Sequence, residues 1–527
     1  MVGGILLLVL ALLFYYLAVL RVDLKHTSFL DLGPYPDAVE YFAQAKSMLH
    51  HAGPKIQIGY DVLPSRYPPG YPILMIPWLS CLPHHGIYAP FRTNQTIGLL
   101  LIIGCFALYY GSALPLAGGI AALLLATQPA LVTYSRASMS DLSGAAVAVL
   151  AFALAYLGLK FQRRWLLYAT AVVLGLSLCI RPQLVFLAPL LISMAFYPQS
   201  NSIGRWFFHC VLILVIFAVA ASPYFLFNWA EFGHPLKTGY DFWVPSLTDH
   251  QMPFSLRNLP RQAAMLWSEA TATRTQFQVA NLFGTGTYFV PAFVLLSLVG
   301  LGFCRFNRFT GSAFLAGASF FLATATYSFV DGRFFMPLQF LFVSVATLPV
   351  VWALSEWKSK RRHLWRVPIL LLFVLCCLGY PSQSGYTPRN NRAQVWDAIH
   401  LVGARGSSPR YKAVTNFSRA FARQPGIVLS NIDPVYLNAL LPPLFVAAPI
   451  DGMHSYAYSR AWHYGELQAI QLIRRGLAQH LPVYSLRVPP MNPKKGSGPL
   501  PAVEGHTWRP ETVSRPGFLV MSLISDR

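Results

Sequence analysis

The chain has 527 residues, 55% hydrophobic and 11% charged, where soluble domains carry roughly 25% charged residues. Its 40 basic and 19 acidic residues leave a net charge of +21. A soluble globule could not bury this much apolar surface, and composition also excludes a disordered chain, a coiled coil and a disulfide scaffold. What remains is an α-helical polytopic membrane protein with a soluble part. In such a protein a basic excess retains loops on the cytoplasmic side and meets anionic membrane lipids. No basic helix interleaved with aromatics points to nucleic acid.

A spanning helix needs roughly 20 mostly apolar residues. Residues 3–20 qualify, without the basic leader or small-residue cleavage site of a secretory signal. The later apolar runs are approximately 96–112, 114–131, 143–159, 166–180, 183–197, 207–227, 282–303, 311–329, 335–354 and 367–380. Together they predict about eleven spans, several of them short. Residues 70–82 are apolar but rich in proline and read as interfacial or re-entrant. Lys160, Arg163, Arg164, Arg205, Arg305, Arg308 and the basic run Lys358–Arg366 gather on one side, which the positive-inside rule makes cytoplasmic. Arg21 and Lys25 oppose this assignment and are outvoted. The loops 21–95 and 228–281 are then outside, and an odd number of spans places the tail outside too. The division is a transmembrane module over 1–380 and a soluble extracytoplasmic domain over 381–527.

In the tail the apolar runs shorten to strand length at 425–431, 444–450, 483–488 and 518–524, with helical patterns at 433–441 and 461–478 and a loop at 489–501. Strands alternating with helices predict a small α/β domain. The cysteines lie in or beside apolar segments with no CxxC spacing, which argues against structural disulfides and thiolate metal sites.

The chemistry concentrates on the outer side. Asp37–Leu49 has helical periodicity after Pro36, with Tyr41 on one face and Glu40 in the first turn. The Asp37 carboxylate faces the positive end of the helix dipole, either as a catalytic group or as a plain cap. In SRYPPGYPILMIPW (65–78), Arg66 and Tyr67 precede a stiff Pro-Pro-Gly turn, and Arg66 is a candidate phosphate ligand or an interfacial anchor. Arg136, Arg181 and Arg333 lie at outer ends of spans, where topology does not require them, and Asp141 and Asp331 accompany two of them. Ionisable groups at membrane depth are functional candidates by default. Their structural alternative is local pairing of Arg136 with Asp141 and of Asp331 with Arg333. His50–His51 and His84–His85 are adjacent pairs without helical ligand spacing, so no metal is indicated. Asn94-Gln-Thr and Asn416-Phe-Ser are sequons short enough to occur by chance.

The order of these features resembles the GT-C superfamily of membrane glycosyltransferases, which includes bacterial aminoarabinose transferases, protein O-mannosyltransferases and the RgtA-like family. The features are a first span, an outer loop with Asp-x-x-x-Tyr, an aromatic-PPGY segment, SRASMSD, RPQ and GRFFMP at span ends, and an outer soluble tail. The resemblance covers about residues 1–355, including the loop NWAEFGHPLKTGY at 228–240. It implies an integral protein of the bacterial inner membrane, with its site and tail on the periplasmic side. It also implies a transferase using a polyprenyl-phosphate-linked sugar donor and a lipid, glycan or protein acceptor, with Asp37 matching the catalytic aspartate. Two positions depart from the pattern. Ala38 follows Asp37 where many members have Glu or Asp. Tyr67 precedes the Pro pair where the aminoarabinose transferases have lysine, moving the expected phosphate contact to Arg66.

The chemistry supports the same division. A lipid phosphate leaves without a general acid, one carboxylate must deprotonate the acceptor, and cations must hold the departing phosphate. Asp37 is the expected base, and Arg66, Tyr67, Arg136, Asp141, Arg181, Arg333, Glu40 and Tyr41 are the expected substrate or phosphate contacts. The competing expectations are a transporter or flippase of polyprenyl-linked sugars, which predicts internal repeats that the sequence lacks, and a non-catalytic assembly protein.

Overall fold

The computed structural model describes residues 1–21, 28–32, 36–112, 114–195, 203–244, 254–271, 295–300, 308–355, 367–371, 408–421, 423–450, 465–489, 500–514 and 518–526. In chain order the helices begin with α1 (Val2–Tyr15, continued by a π-turn Tyr16–Leu20), α2 (Asp37–Leu49), α3 (Gly70–Cys81), α4 (Ala89–Gly111), α5 (Pro115–Ala126) and α6 (Pro129–Tyr134). They continue with α7 (Asp141–Lys160), α8 (Arg164–Ser177), α9 (Leu190–Ala195), α10 (Ile203–Phe232), α11 (Gly239–Trp243) and α12 (Leu259–Thr271). Then come α13 (Arg308–Ala325), α14 (Met336–Val345), α15 (Thr347–Ser355), α16 (Pro409–Phe421), α17 (Pro434–Leu440) and α18 (Glu466–Ala478). The strands are β1 (Lys55–Ile58), β2 (Asp61–Pro64), β3 (Gly426–Ser430), β4 (Phe445–Pro449), β5 (Val483–Arg487), β6 (His506–Pro510) and β7 (Leu519–Ser525).

The chain forms two compact units, both discontinuous in sequence. The first comprises residues 1–22, 91–227 and 251–403, and the second 23–90, 228–250 and 404–527. Among the described residues five helices are long and apolar enough to cross a membrane: Val2–Leu20, Gly86–Gly111, Asp141–Lys160, Ile203–Phe232 and Gly332–Val351. The chain is an integral membrane protein.

In the first unit Ala148, Ala151 and Ala155 on α7 face Leu167, Ala171 and Leu174 on α8, and Phe320, Phe335 and Leu338 complete the cluster. Small residues at such an interface let helices approach where lipid provides no hydrophobic drive. Proline interrupts two of the expected spans. The run 183–197 is a short 3-10 helix, Pro182–Leu187, followed by α9 beyond Pro189. The run 114–131 divides into α5 and α6, the latter opening on Pro129. The run 335–354 overlaps Gly332–Val351, one of the five long apolar helices. Pro has no N–H and fixes φ, so it starts helices rather than continuing them. The runs 282–303 and 367–380 lie largely outside the described residues, as does most of the loop 489–501.

In the second unit β3 runs parallel to both β4 and β5, while β7 pairs antiparallel with β5 and β6, giving the order β4-β3-β5-β7-β6. β3 is buried along its whole length, as a central parallel strand must be. The four expected strands are all present. Strand β6 and helix α16 were not expected. β6 is an exposed edge of sequence HTWRP with no apolar run, and α16 buries only Ala413, Val414 and Phe417.

The segment 23–90 is built into this unit. β1 and β2 form a hairpin, and Asn438 Nδ2–H donates to Gln57 O and Ala447 O, both at 2.9 Å. The Tyr436 hydroxyl donates to Leu30 O at 2.7 Å, Tyr411 N–H donates to Asp31 Oδ1 at 3.0 Å, and Lys46 Nζ donates to Ala439 O at 2.6 Å. Helix α2 is thus held by groups from α17, about 390 residues further along.

Candidate active site

Helix α2 begins at Asp37, with Pro36 in the N-cap position and Asp37 and Glu40 in its first turn, where carboxylates complement the helix dipole. Asp37 is therefore the first helical residue rather than the cap. It is half-buried and accepts a 2.5 Å hydrogen bond at Oδ1 from the Tyr67 hydroxyl. Tyr67 is buried among three other tyrosines. Its ring centroid lies 4.7 Å from that of Tyr41 and 6.0 Å from that of Tyr240, and Tyr41 meets Tyr71 edge-on at 4.9 Å. Burial and the negative charge of Asp37 push the Tyr67 phenol well above its ordinary value, so it stays protonated and donates.

Glu40, one turn on, has no exposed surface. Its Oε2 accepts from the Ser65 hydroxyl and from Arg66 N–H, both at 2.9 Å, and its Oε1 lies 2.7 Å from Arg66 Nε. Burial raises the Glu40 carboxyl, and the Arg66 charge and these donors oppose it. Arg66 is itself buried, with its guanidinium 5.7 Å from the centre of the Trp243 ring. Trp243 Nε1–H donates to Pro64 O at 2.8 Å, and Gln44 Nε2–H to Tyr67 O at 3.0 Å. The segment 64–67 is thereby clamped between α2 and α11. Gly239, at the start of α11, sits so close that a Cβ there would fall 2.2 Å from Arg66 Cα, which is why no larger residue fits. The capping box of α11, in which Asp241 Oδ2 accepts from Thr238 N–H at 2.7 Å, fixes that approach.

A separate constellation lies in the first unit. Arg181 pairs with Asp141, the first residue of α7, and Arg333 Nε lies 3.1 Å from Asp331 Oδ2. Both guanidiniums stand over the Phe334 ring, at 5.4 and 5.1 Å from its centre. Asp331 also lies within electrostatic reach of Asp141 and Arg181, so the four charges form one group. Gly144 leaves room for the Arg181 stem, since a Cβ there would fall 2.7 Å from Arg181 Cδ. The expected Asp331–Arg333 pair is present, whereas the Asp141 carboxylate reaches Arg181, 40 residues away.

Arg136 is buried in the turn before α7. Asn94 Nδ2–H holds that turn by donating to Ala137 O at 2.6 Å and Met139 O at 2.8 Å, and the Tyr15 hydroxyl donates to Ser135 Oγ at 2.9 Å. Asn94 is fully buried, so its sequon is a chance match, and Asn416 lies inside α16. His50 and His51 end α2, and the side chains of His84 and His85 lie outside the described residues. Among the described residues no group of three or more His, Cys, Asp or Glu can hold a metal ion. Cys81, Cys105, Cys179 and Cys210 are free thiols, and the other three cysteines lie outside the described residues.

Sequence reasoning thus named these groups and the Asp331–Arg333 pair but missed the long-range partners. Tyr67 as the donor to Asp37, and Tyr240 and Trp243 as walls of the same pocket of aromatics, had only one signal, the aromatic density of residues 240–243 after the family-like loop.

No family model matches the sequence, and no curated protein is similar to it at the sequence level. Its fold is similar to those of two solved proteins, an ArnT and an archaeal oligosaccharyltransferase. ArnT from Cupriavidus metallidurans bound to undecaprenyl phosphate superposes with a TM-score of 0.61 at 13% identity, covering 98% of this chain and 97% of that one. The Archaeoglobus fulgidus oligosaccharyltransferase tethered to an acceptor peptide containing the NVT sequon superposes at 0.54 and 13% identity, covering 92% of this chain and 69% of that one.

Proposed function

We propose that the chain is an inverting glycosyltransferase that moves a sugar from a polyprenyl-phosphate donor to a lipid, glycan or protein acceptor on the outer side of the membrane. The observation that carries this reading is Asp37. It is a half-buried carboxylate at a helix start, locked by a phenol, in a GT-C fold whose solved examples include one bound to undecaprenyl phosphate. The protein lies in a bacterial inner membrane, crosses it about eleven times, and carries its site and tail on the periplasmic side.

The residues divide the reaction between them. Asp37 takes the proton of the acceptor hydroxyl or amine as that group attacks the anomeric carbon. The bond from that carbon to the phosphate oxygen breaks, its electron pair leaves on the phosphate, and attack opposite the leaving group inverts the centre. Arg181 and Arg333, aligned over Phe334 by Asp141 and Asp331, bind the donor phosphate and take up its growing charge, with Arg136 adding positive potential. Tyr41 supports the ring stack behind the base. Glu40 and Arg66 consume each other's charge inside the fold, so their role is to fix the 64–67 segment rather than to contact phosphate.

The test is transfer in membranes from radiolabelled polyprenyl-phosphate sugars, comparing wild type with Asp37→Asn at matched expression. Loss of transfer with undecaprenyl phosphate still bound supports the reading. Transfer surviving in the variant removes Asp37 as the base. Lipid binding without transfer by wild type from every donor favours transport of the lipid-linked sugar instead.

A further inference from the structure

Tyr67 occupies a position where a phosphate contact was expected, yet its surroundings suit a different task. Its hydroxyl points at the Asp37 carboxylate, with which it makes a 2.5 Å hydrogen bond, while its backbone carbonyl is tied to Gln44 and its backbone N–H donates to Ser65 Oγ at 3.2 Å. The ring is buried against Tyr41 and Tyr240. The side chain therefore has one polar atom, and that atom is committed to Asp37.

We propose that Tyr67 is a positioning residue for the Asp37 base, holding one carboxylate oxygen so that the carboxylate presents a fixed edge to the acceptor hydroxyl or amine. The inference rests on Asp37 being the base. A hydrogen bond to the carboxylate fixes rotation about the Cβ–Cγ bond, so the attacking proton meets an oriented lone pair. A neutral phenol is suited to this task, because it donates without becoming a competing base or adding a charge.

The phenol keeps its proton across the physiological range, since burial and the facing Asp37 both oppose its ionisation. The other charged or titratable groups that face it are Glu40 on α2, Arg66 beside it in the chain and Tyr240 on α11. Glu40 is in turn faced by Asp433 at the start of α17. Glu40 and Arg66 pair with one another, and Asp37 is the acceptor that the Tyr67 hydroxyl meets.

The experiment uses the full-length protein in membranes, with undecaprenyl phosphate as the binding probe and a panel of radiolabelled polyprenyl-phosphate sugars as turnover probes. Tyr67→Phe keeps the ring and removes the donor. Its expected result is unchanged undecaprenyl phosphate binding and unchanged KM for the lipid donor. Its kcat falls roughly tenfold, the low end for losing a hydrogen bond to a charged group. Replacing Tyr67 by 3-fluorotyrosine keeps the donor in the same packing and restores kcat to near the wild-type value. A Tyr67→Phe protein with wild-type kcat overturns the proposal. So does one whose main defect is weaker undecaprenyl phosphate binding, which would make Tyr67 a phosphate contact. Asp37→Asn separates the two layers: if it retains transfer, the base assignment falls and this inference with it, whereas an inactive Asp37→Asn beside an indifferent Tyr67→Phe sinks the inference alone.

Discussion

The two units use charge in opposite ways. In the second, the Glu40–Arg66 pair has side chains at most 5% exposed, and its carboxylate is engaged by the guanidinium, a backbone N–H and a hydroxyl. In the first, the side chains of Arg181, Arg333 and Asp331 retain 11–21% of their surface, and the two arginines share the face of one phenylalanine. A buried, saturated pair sets local structure and is costly to break from one side. Accessible arginines beside carboxylates can exchange part of their pairing for a ligand phosphate. The same residue types therefore form a fully buried pair in one unit and a partly exposed cluster in the other, and the local sequence around them does not say which.

The largest expected effect tests Asp37, a half-buried carboxylate of the second unit. Asp37→Asn lowers transfer by roughly 10²–10⁴-fold, the range for losing a general base, with the thermal midpoint unchanged; radiolabel transfer in membranes and a thermal shift assay measure the two. Glu40→Gln should behave in the reverse manner. It leaves the buried Arg66 charge uncompensated and destabilises the second unit by about 3–5 kcal/mol, read as lowered thermal midpoint and increased proteolysis of the tail. A stable Glu40→Gln protein with defective lipid binding would break the comparison between the units.

The charge-neutral double variant Asp141→Asn/Arg181→Gln sharpens the comparison from the other side. It should keep its thermal midpoint and weaken undecaprenyl phosphate binding by roughly tenfold or more, the cost of a hydrogen bond to a charged group. Unchanged binding would remove Arg181 from the phosphate site.

The smallest effect concerns Asp31, whose carboxyl burial raises above its usual value despite the nearby Arg410 and Lys412. A carboxyl raised in the folded state binds protons more readily there than when unfolded. Stability is therefore greatest below the ordinary carboxyl value and falls as pH rises through the folded one. Asparagine keeps an oxygen for the Tyr411 N–H without that penalty. Asp31→Asn should raise the thermal midpoint slightly at pH 7, and the advantage should vanish near pH 3. A variant less stable than wild type at pH 7 would mean that the carboxylate is held ionised by the two cations.

Much of this protein is legible in its amino-acid sequence. The periodicity after Pro36 marks α2 with the bounds observed, Asp37 to Leu49, because the rotation of 100° per residue imprints itself on apolar spacing. The short apolar runs of the tail mark β3, β4, β5 and β7 for the equivalent reason. Strand β6 escapes because an edge strand needs no apolar face, its hydrogen bonds to β7 being enough. The broken helices around Pro129 and Pro189 escape when apolar content is weighed above proline's missing N–H. The candidate site is legible as a set of residue types and one local pair, Asp331 with Arg333, but not as long-range pairs: Asp141 joins Arg181 across 40 positions, and Asp37 joins Tyr67 across 30.

Composition and periodicity, which depend on neighbours within a few residues, therefore determined by themselves that this is a membrane protein with helical spans, a short helix beginning at an aspartate and a small α/β tail. The tertiary structure alone decided that the segment 23–90, the segment 228–250 and the tail fold as one unit. It also decided that Glu40 pairs with Arg66 while Asp37 meets the Tyr67 hydroxyl. Those outcomes depend on which distant side chains arrive at a carboxylate and how much water they leave beside it. Both are set by packing between segments far apart in the chain, and no local pattern records them.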